Sequence, residues 1–173
     1  MRFLTCTHDA YAQAILDIFN EAIVNSTALY DYNPRSLETM AGWFNAKQAD
    51  NFPVIGVTAE DETLLGFASY ATFRPWPAYK YSVEHSVYVH SDHRGKGVGF
   101  ALMQELIAVA IEQQYHVMIG GIDITNAASI ALHEKLGFVH AGTIKQAGFK
   151  FNRWLDLGFY QRILKTPREP IDG

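Results

Sequence analysis

The sequence predicts an α/β (α+β) fold, a central sheet with helices packed on it, and three observations carry that reading. The chain has 173 residues, 49% hydrophobic and 18% charged, which is enough apolar material for one core. Apolar and polar residues alternate from Tyr81 to His90 as a half-buried strand requires. The predicted elements run β, two helices, three strands, a glycine-rich loop, helix, strand, helix and closing strands, a mixed order that suits a sheet covered by helices.

Each element follows from local pattern. Arg2 to Thr7 is a short strand. Asp9 can cap a helix reaching about Asn25, with Ala14, Ile15, Ile18, Phe19 and Ala22 on one stripe. Asn33-Pro34 breaks the chain, and Ser36 starts a helix with Leu37, Met40, Trp43 and Phe44 at helical spacing. Pro53 to Glu60 and Thr63 to Thr72 are β-rich runs joined at Asp61-Glu62, a hairpin signal. Arg74-Pro75-Trp76-Pro77 is a loop, since its prolines restrict the backbone. Along Tyr81 to His90, Val83, His85, Val87 and Val89 fall on one face and Ser82, Glu84, Ser86 and Tyr88 on the other. An amphipathic helix follows the glycine loop to about Gln114, with Leu102, Leu106, Val109 and Ala110 buried. Val117 to Ile124 is a strand, and Thr125 or Asn126 caps a helix that stops at Leu136-Gly137. Phe138 to Ala141 and Phe149 to Gln161 close the chain as strands, with Gly142 and Gly148 punctuating the connection. Residues 1–165 read as one domain, and residues 166–173, with two prolines, as a frayed tail.

The loop Arg94-Gly95-Lys96-Gly97-Val98-Gly99-Phe100 lies between a strong strand and a strong helix. Alternating glycines bare the backbone, so its N–H groups can approach an anion closely. The helix that follows adds the positive end of its dipole. Arg94 and Lys96 supply mobile positive charge. Such a loop suits a diphosphate. A triphosphate-binding P-loop requires Lys-Ser/Thr after its last glycine, and Phe100 follows Gly99. A dinucleotide fingerprint requires Gly-x-Gly-x-x-Gly, and the spacing here is Gly-x-Gly-x-Gly. By itself the loop leaves a ligand-free helix entry open.

Composition narrows the classes. A net charge of −4 argues against nucleic acid or an anionic membrane as partner. The single cysteine, Cys6, excludes an internal disulfide and suits a reducing, cytoplasmic compartment. No apolar stretch approaches the ~18 residues of a membrane span, and the N-terminus does not read as a signal peptide. The histidines show no metal-ligand spacing among themselves or with Cys6, so no metal is expected.

Val87-Tyr88-Val89-His-Ser-Asp-His-Arg94-Gly-Lys-Gly97-Val-Gly99 resembles the acetyl-CoA-binding motif of the GNAT superfamily of N-acetyltransferases, with Arg94, Gly97 and Gly99 at its signature positions. The segment from Asn126 to Leu136-Gly137-Phe138 resembles that superfamily's second motif. Tyr81 to Val89, Leu132 to Phe138 and the late run Phe149 to Leu157 resemble the phosphinothricin and methionine sulfone/sulfoximine N-acetyltransferases, a similarity running from about Ala12 to Lys165. The resemblance implies a mostly antiparallel twisted sheet of six to seven strands flanked by about four helices. It implies acetyl-CoA as co-substrate, a homodimer, and acylation of the α-amine of amino-acid-like acceptors.

The chemistry needs a base for the ammonium, a polarised thioester carbonyl and a thiolate that can leave. The resemblance makes Glu84 the base. It puts His133 where most of the superfamily carries a tyrosine, read as the acid for the coenzyme thiolate, and leaves open whether His133 is acid, base or orienter. Asn126, Ser129 and His133 share one helix stripe, which with Lys135 would face the elongated coenzyme. Val87 to Val89 would offer backbone groups to the pantetheine arm. The resemblance places Arg74, Pro75, Trp76, Glu84, His85 and Ser86 at the acceptor, where Arg74 could bind a carboxylate or sulfonyl group. A lone histidine on an apolar face, as His85 is, is also commonly a satisfied core residue. The rival readings are acetylation of a protein N-terminus or polyamine, and a CoA-binding sensor without turnover.

Overall fold

The computed structural model describes residues 1–173. Seven strands, β1 (Arg2–Thr5), β2 (Val54–Thr58), β3 (Leu64–Thr72), β4 (Ser82–Val89), β5 (Val117–Asp123), β6 (Val139–Lys150) and β7 (Arg153–Ile163), form one sheet in the order β1-β2-β3-β4-β5-β7-β6. The helices are α1 (His8–Asn25), α2 (Leu37–Ala49), α3 (Val98–Glu112) and α4 (Ala127–Lys135). The sheet is mixed: β4 and β5 are parallel, while β1–β2, β2–β3, β5–β7 and β7–β6 are antiparallel. The expected strand and helix counts are met.

The chain divides into two compact units, one of Met1–Ser69 with Ser86–Leu106 and the other of Tyr70–His85 with Ile107–Gly173. In the first, α1 buries Ile15, Leu16, Ile18, Phe19, Ala22 and Ile23. Its start differs from the sequence reading. Thr7, in extended conformation, holds the cap position, and Asp9 sits inside the first turn, where a carboxylate meets the positive helix end. β2 is buried throughout and β3 from Leu64 to Tyr70, so neither shows the alternation of a one-faced strand. Phe19 makes edge contacts with Trp43, Phe67 and Tyr88 at centroid distances of 5.0 to 5.5 Å. Such pairs add about 0.5–1.5 kcal/mol each beyond area burial.

In the second unit, β4 and β5 run side by side from Ser82↔Val117 to Glu84↔Ile119, and β4 itself continues to Val89. Val83, Met118, Phe138 and Leu155 are fully or almost fully buried there. The closing hairpin departs from expectation. β6 runs unbroken to Lys150, and the chain turns at Phe151 and Asn152, both at positive φ (51° and 58°). The glycine-bearing stretches instead coincide with register shifts, between His140 and Gly142 and between Ile144 and Gly148. Glycine in a strand marks a bulge as readily as a stop. The tail is also held rather than frayed. His116 Nδ1 lies 2.8 Å from Thr166 O, and Ile171 N donates to the Tyr81 hydroxyl at 3.2 Å.

Candidate active site

The glycine loop lies wholly in the first unit. Gly95 and Gly97 have φ of 73° and 82°, a left-handed backbone that side chains rarely adopt. A Cβ at either would meet nothing within 4 Å, so conformation and not crowding demands glycine there. Ala101 N donates to Gly97 O, which makes Gly97 the residue before α3. The first N–H groups of any helix lack intrahelical partners and are available to an anion. The loop therefore fits a diphosphate.

Its cations are not mobile, contrary to expectation. Arg94 is bonded through its guanidinium to Glu21 of α1, and its Nε donates to Val89 O at 3.2 Å. Lys96 Nζ donates to Asp92 O at 2.8 Å. Both side chains brace the loop. Glu21 was not singled out by sequence, because its partner stands 73 residues away. Val87, Tyr88 and Val89 form the half-buried end of β4 that leads into the loop, with Tyr88 packed on Phe19 and Phe67. Val98 is buried, Gly99 and Phe100 half-buried.

In the second unit the Arg74 charge acts on Glu84, and His85 lies against His133. Glu84 is half-buried. Burial raises its carboxyl above the usual carboxylate range, and the Arg74 guanidinium pulls it back down. Arg74, Pro75 and Trp76 are exposed, with Trp76 62% accessible, and the Arg74 guanidinium lies over the Phe73 ring. Ser86, half-buried, opens the part of β4 that belongs to the first unit.

On the face opposite Glu84, His85 and His133 are both buried and stack with centroids 4.9 Å apart and planes at 19°. Their Nε2 atoms are 3.0 Å apart. His133 Nδ1 is 2.6 Å from Ser129 O, and the Ser129 hydroxyl is 3.5 Å from the same nitrogen. Burial lowers His85 to about 3, helped by His133, and lowers His133 as well, against the raising effect of Ser129 O. The stripe of polar residues on α4 thus serves its own helix first. Asn126 Oδ1 accepts from Ser129 N at 3.1 Å as the cap, and Lys135 is exposed in the last turn.

Two further residues belong to the site and were passed over in the sequence. A Cβ at Gly120 would lie 2.7 Å from His85 Nε2 and 3.4 Å from His133 Nε2; one at Gly121 would lie 3.2 Å from Glu84 Oε1. The pair stands mid-strand in β5, where glycine signals close approach of another group. That signal was legible. Apart from these residues, an open groove of about 550 Å³ in the first unit is lined by Tyr30, Asp31, Tyr32, Asn33, Arg35 and Thr39, none of them a predicted site residue. No group of three or more His, Cys, Asp or Glu side chains is arranged to hold a metal ion.

The model of the acetyltransferase (GNAT) family matches residues 13–138. The chain is 44% identical to the L-methionine sulfoximine/L-methionine sulfone acetyltransferase of Pseudomonas paraeruginosa, over 89% of this chain and 90% of that protein. It is similar to a GNAT superfamily phosphinothricin acetyltransferase of Sinorhizobium meliloti solved in complex with acetyl-CoA, with TM-score 0.93 and 34% identity over 98% of this chain and 91% of that one. It is also similar to a ribosomal-protein-alanine N-acetyltransferase of Brucella melitensis, with TM-score 0.92 and 44% identity over 95% and 100% of the two chains.

Proposed function

The chain belongs to the GNAT acetyltransferase family and is an acetyl-CoA-dependent N-acetyltransferase, and from that premise we propose that its acceptors are small amino-acid-like amines: methionine sulfone, methionine sulfoximine and phosphinothricin. One observation carries the choice. Glu84 is a half-buried carboxylate with a raised affinity for protons, under the influence of the exposed Arg74 cation. An amino-acid analogue carries an ammonium for the first and an anionic or sulfonyl group for the second.

In this reading Glu84 accepts a proton from the acceptor's ammonium, directly or through water. The freed nitrogen attacks the thioester carbonyl carbon. A C–N bond forms, the C–S bond breaks, and the nitrogen releases its second proton as the departing thiolate takes one up, which leaves the amide and the free coenzyme thiol. The backbone of the Gly95 to Phe100 loop and the start of α3 hold the diphosphate, Val87 to Val89 align the pantetheine arm, and Asn126, Ser129 and Lys135 complete the coenzyme contacts. Arg74, Pro75, Trp76 and Ser86 shape the acceptor side, while His85 is buried against His133. The reaction as written uses no metal.

We take the working form to be a homodimer, a reading supported by the apolar side chains that β6, β7 and their turn leave exposed: Val139, Ile144, Phe149, Phe151, Trp154 and Ile163. A cytoplasmic location is supported by the buried, unpaired Cys6. No helix is long and apolar enough to cross a membrane.

The likeness to the Brucella protein favours one competing acceptor, a peptide bearing an N-terminal alanine. A thiol-release assay with acetyl-CoA across a panel of amines separates the two. The three amino-acid analogues lead on kcat/KM. A peptide or polyamine that outpaces them by about tenfold, roughly 1.4 kcal/mol of transition-state discrimination, overturns the assignment.

A further inference from the structure

A carbonyl oxygen can only accept, so the contact of His133 Nδ1 with Ser129 O at 2.6 Å places a hydrogen on Nδ1. A neutral ring then carries its lone pair on Nε2. The atom facing that lone pair is His85 Nε2, at 3.0 Å, which must therefore be the donor. This leaves the lone pair of His85 on Nδ1, a buried atom with no hydrogen-bond partner. The tautomers of both rings thus follow from one backbone carbonyl. The low basicity that burial gives both imidazoles agrees with two neutral rings.

The bridge has a steric condition. Gly120 has no positive φ that would demand glycine, yet a Cβ there would come within 2.7 Å of the His85 nitrogen that donates. The missing side chain is what admits the bridge. Phe138 closes the same space, with edge contacts of 5.4 Å to His85 and 5.1 Å to His133.

We propose that His85 is a positioning residue acting through His133: its Nε2–H closes the chain Ser129 O–His133–His85, Gly120 makes the room for it, and the closed chain leaves His133 no proton to give from Nε2. His133 is then a fixed neutral wall of the site and not the acid that protonates the coenzyme thiolate. Any proton that enters the pair enters at His85 Nδ1. The proposal rests on the reading of His133 as a residue of the acetyl-transfer site, but its first two tests need no substrate.

Long-range ¹H–¹⁵N spectra of the histidine-labelled protein read the tautomers directly. From about pH 6 to about pH 8, where a free imidazole titrates, His133 appears as the neutral Nδ1–H form and His85 as the neutral Nε2–H form. A proton on His133 Nε2, or a charged His133 across that range, overturns the proposal. A double-mutant cycle on Tm tests the space. Gly120→Ala lowers Tm more when residue 85 is histidine than in the His85→Ser background; equal losses overturn the role of Gly120. Kinetics then test the consequence. His85→Leu lowers kcat tenfold or more with KM for acetyl-CoA unchanged, and His85→Gln, whose amide can donate, recovers most of that loss. Equal kcat for the two variants overturns the positioning role. A failed acceptor panel would remove the substrate assignment while leaving the spectra and the Tm cycle intact.

Discussion

Arg94, the first residue of the glycine loop, is tied by its guanidinium to the carboxylate of Glu21, four residues before the C-terminal end of α1. The cation that the motif brings is thereby neutralised and used to set the loop's position. An ion pair with this much exposure adds at most about 1 kcal/mol to stability, so its effect belongs to loop order more than to the fold. Glu21→Ala is expected to raise KM for acetyl-CoA about twofold to fivefold, leaving kcat within about twofold, since up to about 1 kcal/mol of loop ordering then falls on the binding step. Initial-rate kinetics with acetyl-CoA varied would decide it.

Gly97 offers a cleaner perturbation of the same loop. With φ at 82° and open space where a Cβ would go, Gly97→Ala meets backbone strain alone. That strain is about 1–2 kcal/mol. A several-fold weakening of coenzyme binding, measured by calorimetry, should accompany a modest drop in Tm. An unchanged affinity would mean the loop does not need its left-handed turn to hold the diphosphate.

Glu84→Gln removes the proposed base without changing its shape. The expected loss in kcat is about 10²–10⁴-fold, with coenzyme affinity retained. Equal losses in both would exclude Glu84 as the base. The same variant should be no less stable than the parent at neutral pH. Because Glu84 has a raised pKa in the folded protein, the fold favours its protonated form, and stability is lost as pH rises from the ordinary carboxylate range through the raised value. Glutamine avoids that loss, and its advantage should vanish below the carboxylate range, where Glu84 is protonated in both states. Denaturation curves at acid and neutral pH test the sign.

The pH profile of kcat/KM carries a further consequence. In its proposed role Glu84 must be ionised to act, so its raised pKa puts the acid limb at a higher pH than an ordinary glutamate would. Arg74 opposes that shift, and Arg74→Ala should move the limb upward again. A limb that stays in place would show that the Arg74 charge does not reach Glu84 in solution.

Gly121→Ala probes the carboxylate by contact. The added methyl would stand 3.2 Å from Glu84 Oε1, the end of a flexible side chain, and 3.2 Å from Leu157 Cδ1. Both can give way, so the fold should tolerate the change within about 1 kcal/mol, as substitutions without a cavity or buried charge usually do. The displaced carboxylate should nevertheless cost about tenfold in kcat, a sensitivity typical of misplaced catalytic groups.

Much of this was legible in the linear chain. Periodicity located the helices and β4, because burial of one face imposes a period of 3.6 or 2 that needs no knowledge of the partner, while β2 and β3, buried on both faces, were legible only as β-rich runs bounded by turn residues. The glycine loop was readable for a similar reason: alternating glycines at the entry of an amphipathic helix are a local device. Glu84 and His133 came from resemblance and were then found in environments that change their chemistry. The closing hairpin was misread because Phe151 and Asn152 turn the chain at positive φ without a glycine, while the glycines nearby mark bulges.

What the sequence determined by itself was the order of elements, the glycine loop and the residue types available for acyl transfer. Tertiary structure alone decided who partners whom. It set Glu21 against Arg94 across 73 residues, His85 against His133 across 48, and one glycine of β5 beside each of Glu84 and His85. Charge, tautomer and proton affinity depend on neighbours within a few ångströms. Those neighbours are assembled by the sheet, and no pattern along the chain encodes their distances.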